Sequence, residues 1–169
     1  MTATSAIGSP PRSLRGDIFG LLAFLTVCFA VAGVGGAVTA GSVDTWYRTL
    51  DKASFTPPDW VFGPAWSILY AAMAVAAWRI WRRTGLARGR TALTLFAIQL
   101  LLNGLWSILF FGAHRPGAAL ADIVLLWFAI LATTLAFWRI DRVAGVLFLP
   151  YLLWVGYAAV LNLAIWLRN

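Results

Sequence analysis

Five stretches of the chain, residues 18–40, 60–78, 91–111, 118–138 and 143–167, are free or nearly free of charge, and each is long enough to cross hydrocarbon, which takes about 20 apolar residues as a helix. Together they take up most of the 169 residues and leave no room for a soluble catalytic domain. With 62% hydrophobic residues and a mean hydropathy of +0.83, the chain has too little polar material to cover a water-facing surface. The expected fold class is an all-α integral membrane protein, a five-transmembrane-helix bundle. Residues 1–16 are short, polar and proline-containing, and are expected to form a disordered tail ahead of a membrane domain at 17–169. Arg12 and Arg15 before an apolar run mimic a signal peptide, but that run is too long and lacks a convincing cleavage site, so it is read as a retained first helix.

The formal charge of +7 does not imply nucleic acid, because the basic residues sit at the ends of the apolar runs. If five helices alternate, Arg12, Arg15, Arg79, Arg82, Arg83, Arg88, Arg90, Arg139 and Arg142 fall on one side, and only Arg48, Lys52, Arg115 and Arg168 on the other. The positive-inside rule then predicts a cytoplasmic N-terminus and a C-terminus on the opposite side. The basic stretch 79–90 reads as a loop that fixes orientation and meets anionic head groups. Cys28 is alone, so no disulfide framework and no metal cluster is expected.

The stretch WYRTLDKASFTPPDWVFGPAWSILY, from Trp46 to Tyr70, starts as a polar aromatic loop and ends inside the second helix. Pro57 and Pro58 fix two φ angles and bias Thr56 away from helix, so an extended, stiff connection is predicted as far as Trp60. Two readings are open for its aromatic residues: a belt at the water–hydrocarbon boundary, or a loop that closes over a ligand. In the helices, Trp66, Tyr70 and Met73 form one stripe, and Gln99 and Asn103 share a face with Trp106 and Phe110. Amides at that depth must meet another helix or a polar ligand. In the fifth helix Pro150 removes a backbone hydrogen bond and predicts a kink, after which Trp154, Ala158 and Asn162 form a stripe with room for a flat ligand beside Ala158. Trp66, Trp154, Gln99, Asn103 and Asn162 are expected to line one cavity beneath the Trp46–Pro58 loop. His114 reads as a capping or interfacial group, and Asp122 as a partner for Arg115 or a loop group rather than a proton relay. The face of the first helix carrying Ala32, Gly36 and Ala40, with Gly33 and Ala37 beside it, is expected to pack on protein, by default within the chain.

WYRTLDK, PPDWVFGPAWSILYAAM, QLLLNGLWSILFFG, ALAD and PYLLWVGYAAVLN each hold several residues at fixed spacing, and with them the chain resembles the tryptophan-rich sensory protein/translocator protein (TspO/MBR, peripheral benzodiazepine receptor) family from Gly36 to Asn169. That resemblance implies a five-helix bundle, commonly a homodimer, whose ligands are porphyrins such as protoporphyrin IX, with no covalent cofactor and no metal. By position it implies a pocket of Trp66, Gln99, Asn103, Trp154 and Ala158, covered by Trp46, Tyr47 and Pro58. Arg48 or Lys52 would face porphyrin propionates. It also raises light-dependent porphyrin degradation through Trp66 and Trp154 as an alternative to sensing, with small-molecule transport as a third. The chain departs from the pattern at Ala53, where a proline is usual, and at its end, where VLNLAIWLRN lacks the central tyrosine of a sterol motif, so sterol binding is not expected.

Overall fold

Apolar helices form here because a backbone that crosses lipid must satisfy its own amides. The computed structural model describes residues 14–169. It consists of α1 (Leu14–Val43), a single helical turn α2 (Trp46–Thr49), a 3₁₀ turn (Asp59–Val61), α3 (Phe62–Arg88), α4 (Arg90–Ser107) continued by a π-helical turn (Ile108–Gly112), α5 (Pro116–Ile140) and α6 (Arg142–Arg168). Five of these helical segments are long and apolar enough to cross a membrane. The tail expected at 1–16 lies largely outside the described residues, and Leu14, Arg15 and Gly16 already belong to α1.

Helix α1 packs on α3 and α4, α3 on α6, α6 on α5, and α5 on α4, so the order around the bundle is α1, α3, α6, α5, α4. The core is aromatic: Phe137, Phe148 and Tyr151 are fully buried, with the Phe137 and Phe148 rings 5.1 Å apart and edge to face. Phe19, Leu101 and Leu153 point outward, as suits helices surrounded by hydrocarbon. Cys28 is buried in the core, as a small apolar residue. Pro150 lies within α6, which runs on through it.

Three expectations are corrected. The basic stretch after the second apolar run is helical, not a loop. Helix α3 continues through Arg79, Arg82 and Arg83 and turns only at Gly85, whose φ of 68° a residue with a side chain adopts rarely. Hydropathy marked the hydrocarbon segment, while arginine is a good helix former beyond it. These arginines also pair inward. Asp141 accepts from Arg79 Nε at 2.8 Å and Arg83 Nε at 3.0 Å, Asp17 pairs with Arg82 at 3.0 Å, and α1, α3 and α6 are tied together at this end.

The second correction concerns α1. Gly33, Gly36, Ala37 and Ala40 are exposed, and a Cβ added at Gly33 or Gly36 would meet nothing within 4 Å. The intrachain contact uses Gly35 instead: a Cβ there would lie 3.0 Å from Ser107 Oγ of α4. Third, Asp122 forms no ion pair with Arg115 among the described residues. It is buried, and its Oδ2 has no hydrogen-bond partner.

Candidate functional site

The segment between α2 and α3 folds over the end of the bundle where α6 terminates. Ala53 is buried and its carbonyl accepts from Thr56 N at 2.9 Å, making a turn before the two prolines. Pro58 then takes an extended conformation (φ −56°, ψ 143°) and hands over to the 3₁₀ turn. The loop is fastened to α6 at two places. Tyr157 donates its hydroxyl hydrogen to the Phe55 carbonyl at 2.7 Å. The Asn169 side chain pairs with the backbone of Asp51 through both amide and carbonyl, and Arg168 reaches the Lys52 carbonyl at 3.3 Å. The missing proline at Ala53 therefore does not leave the loop untied.

Beneath this strap, α3 and α6 bring aromatic rings into contact. Phe62 stands edge-on to Trp154 with centroids 5.9 Å apart, Trp154 is 6.0 Å from Tyr157, and Trp66 is 5.8 Å from Tyr70 and 6.2 Å from Tyr151. Ala158 is buried one turn beyond Trp154. Trp154 Nε1 is buried with no hydrogen-bond partner, and so is Thr56 Oγ1, which follows the strapped Phe55. A buried indole N–H without an acceptor is costly, since indoles normally find one. An acceptor on a bound molecule would relieve it.

The amides of α4 are used differently. Tyr70 donates to Asn103 Oδ1, Asn103 Nδ2 donates to the Tyr151 hydroxyl at 2.8 Å, and that hydroxyl donates to Gln99 Oε1 at 2.9 Å. Gln99 and Asn103 are thus engaged by α3 and α6, Gln99 Nε2 meeting only Met73 Sδ at 3.9 Å, and they form a buried floor behind Trp66. From the sequence Tyr70 is expected only in the stripe with Trp66 and Met73, and Tyr151 is not singled out. Tyr151 carried a signal, since it lies three residues before Trp154 on the same helix face.

The remaining candidates gather elsewhere. Asn162 accepts from Trp106 Nε1 at 3.0 Å and donates to the Pro116 carbonyl at 2.8 Å, which knots α4, α5 and α6. The Asn162 amide, expected to face one cavity with Trp66 and Trp154, is thus engaged by Trp106 and the Pro116 carbonyl. Trp46 and Tyr47 pack on Phe110 and Phe111 of the π turn, and Trp46 stacks on His114 at 4.3 Å. His114 also contacts Ser42 Oγ at 3.2 Å, as an interfacial group fastening α1 to the π turn. Lys52 Nζ lies 4.1 Å over the Tyr47 ring, while burial first, then Asp59 and Tyr157, push the Tyr47 phenol up to about 12. Arg48 pairs with exposed Asp44 at 2.8 Å. Among the described residues no three metal-ligating side chains come together.

Five helices long and apolar enough to cross a membrane, a strap over one end of the bundle and a cluster of aromatic rings on α3 and α6 beneath it define a multi-pass membrane protein. The chain belongs to the TspO/MBR family, whose profile matches residues 24–167. It is 39% identical over 153 residues to Protein CrtK of Rhodobacter capsulatus, covering 88% of this chain and 92% of that protein. Against Tryptophan-rich protein TspO of Chlorobaculum tepidum the identity is 42% over 153 residues, covering 88% and 95%. Against the Translocator protein of Homo sapiens it is 38% over 138 residues, covering 80% and 82%.

Proposed function

We propose that this protein binds a flat hydrophobic tetrapyrrole, of the protoporphyrin IX type, between α3 and α6 beneath the 50–61 strap, and acts as a sensor or translocator of that ligand. The observation that carries the reading is the buried Trp154 Nε1–H without an acceptor, set between Phe62 and Tyr157 under a loop held by hydrogen bonds to α6. Aromatic walls give stacking area, and one unsatisfied donor gives orientation, the usual make-up of a small-molecule site. Entry would require the strap to lift, which its exposed anchors at Asp51 and Lys52 permit.

Light- and oxygen-dependent degradation of the same ligand is the second reading. Trp66 stands next to Tyr70 and Tyr151, so oxidisable rings are contiguous with the recess. We place the N-terminus on the cytoplasmic side, because Arg15, Arg79, Arg82, Arg83, Arg88, Arg90, Arg139 and Arg142 share one end of the bundle and Arg48, Lys52, Arg115 and Arg168 the other. The open Gly33, Gly36, Ala37 and Ala40 stripe on α1 supports a homodimer.

The test is a dark titration with protoporphyrin IX, read by tryptophan fluorescence, for wild type and Trp154→Phe. The substitution keeps a ring and removes the donor. Saturable quenching weakened about fivefold in the variant supports the reading, one hydrogen bond being worth about 1 kcal/mol. Non-saturating quenching equal in both proteins contradicts it. Illumination of the saturated complex then separates binding from degradation.

A further inference from the structure

Of the six acidic residues in the chain, Asp17, Asp44, Asp51 and Asp141 pair with arginines and Asp59 is exposed. Asp122, at 5% exposure, is buried without an ion pair among the described residues, and its Oδ2 receives no hydrogen bond. Such a group is costly within a span unless a partner meets it. Its neighbours fix its place. Ala119, Asp122, Ile123 and Leu126 are buried at the spacing of one helix face, so the carboxyl stands on the side of α5 toward the bundle interior. One turn toward the strap, Ala119 packs with Phe110 and Ile165, and one turn deeper Leu126 joins the main core with Tyr151. Three contacts set the register of α5 on α6: a Cβ at Gly117 would lie 2.8 Å from the Trp166 ring, one at Gly156 3.2 Å from that of Trp127, and one at Gly145 2.7 Å from that of Trp138. The residue numbers of each pair have the same sum, so Asp122 is level with Leu161 and within a turn of Ala158. On α4, Phe110 marks the level of Ala119, which brings Trp106 to the depth of Asp122.

We propose that Asp122 anchors the ammonium group of a flat aromatic amine, whose ring lies past Ala158 toward the Trp66 and Trp154 rings. The chain itself supplies no counter-charge at this depth: residues 18–40, 60–78, 91–111, 118–138 and 143–167 contain no lysine, arginine or histidine. A cation for Asp122 therefore arrives with a ligand. Ala158 is one turn from both Trp154 and Leu161, and its small side chain leaves the way open between carboxyl and indoles. The surroundings also suit a positive charge, because ring faces attract cations and the Trp106 and Phe110 rings, stacked at 5.3 Å, border this level. A metal ion is a poorer occupant, since among the described residues no three metal-ligating side chains come together. The proposal does not rest on tetrapyrrole binding, and it concerns a ligand of opposite charge to a porphyrin with propionates.

The test compares 9-(aminomethyl)anthracene, a cation at neutral pH, with 9-(hydroxymethyl)anthracene, a neutral molecule of the same shape, by fluorescence titration of the full chain in a non-ionic detergent. Wild type is expected to bind the ammonium about tenfold more tightly than the alcohol, the advantage of a hydrogen bond between charged groups. Asp122→Asn keeps the shape of the side chain and should bring the ammonium down to the affinity of the alcohol, which itself stays unchanged and so reports an intact site. Asp44→Asn, which removes an exposed carboxylate paired with Arg48, should match wild type. Equal affinities in wild type, or a preference that survives in Asp122→Asn, overturns the proposal. A second measurement needs no variant. Dicyclohexylcarbodiimide, an apolar carboxyl reagent, should modify Asp122 of wild type, and the ammonium should slow this more than the alcohol at the same concentration, as peptide mass spectrometry quantifies. Asp122 that stays unmodified is out of reach of an apolar molecule, and this, or modification that the ammonium does not slow, overturns the proposal as well.

Discussion

The Tyr151 hydroxyl donates to Gln99 Oε1 at 2.9 Å while accepting from Asn103 Nδ2, so one phenol of α6 links both buried amides of α4. Its removal strands a donor and an acceptor among buried side chains. Tyr151→Phe is expected to destabilise the protein by about 1–3 kcal/mol, toward the lower end because interhelical hydrogen bonds in membranes average about 0.6 kcal/mol. Tyr70→Phe breaks a single bond of the same chain and should cost less. Unfolding in mixed micelles at increasing dodecyl sulfate fraction measures both.

Asn162 forms a separate knot with Trp106 and the Pro116 carbonyl. Asn162→Ala should therefore lower stability by about 1–3 kcal/mol while leaving porphyrin affinity within about twofold of wild type, since it shares no partner with Trp154. A parallel binding and unfolding series separates it from Trp154→Phe, for which the opposite pattern is expected.

The strap depends more on Tyr157 than on the exposed ion pair at its other anchor. Tyr157→Phe removes the bond to the Phe55 carbonyl, worth about 1 kcal/mol, and amides in 50–61 should exchange with deuterium about fivefold faster. Arg168→Ala should change that exchange less, because the Arg168–Asp51 pair is 3.6 Å long and solvent-exposed on both sides, a kind worth roughly 0–1 kcal/mol. Peptide-level hydrogen exchange in nanodiscs gives both values.

Asp141 closes the opposite end. Burial pushes its carboxyl up, but the hydrogen bonds from Arg79 and the Val143 amide, together with the charges of Arg79 and Arg83, outweigh it and hold the group below the usual carboxylate value. A depressed pKa stabilises the fold above the unfolded value near 3.8, and that contribution is lost as pH falls through the folded value. Stability attributable to Asp141 is thus flat at neutral pH and declines below about pH 4. Asp141→Asn should cost about 1–2 kcal/mol at pH 7, after allowing for screening of the half-exposed arginines, and should flatten the acid limb of the stability curve.

The five spans were legible because hydrocarbon demands about 20 apolar residues whatever the neighbours are. Helical spacing and the resemblance pointed to the same faces for Trp66 and Trp154, and the two rings lie on the facing helices α3 and α6. The fate of the amides was not. Gln99, Asn103 and Asn162 look alike along their helices, and only the arrival of Tyr70 and Tyr151 at one pair, and of Trp106 at the other, separates floor from knot. The basic stretch misled for a similar reason: charge shows where hydrocarbon ends, while the end of α3 is set by Gly85 and by carboxylates distant in sequence, Asp17 and Asp141.

The central claim is that Trp154 Nε1–H meets a bound tetrapyrrole, and ¹⁵N-indole nuclear magnetic resonance reads that hydrogen directly. With the ten tryptophans labelled and the Trp154 signal assigned through Trp154→Phe, protoporphyrin IX is added in the dark to saturation. The Trp154 resonance should shift progressively and saturate, while that of Trp106, already bonded to Asn162, stays in place. A Trp154 resonance that does not move, or a uniform shift of all ten, would contradict the account.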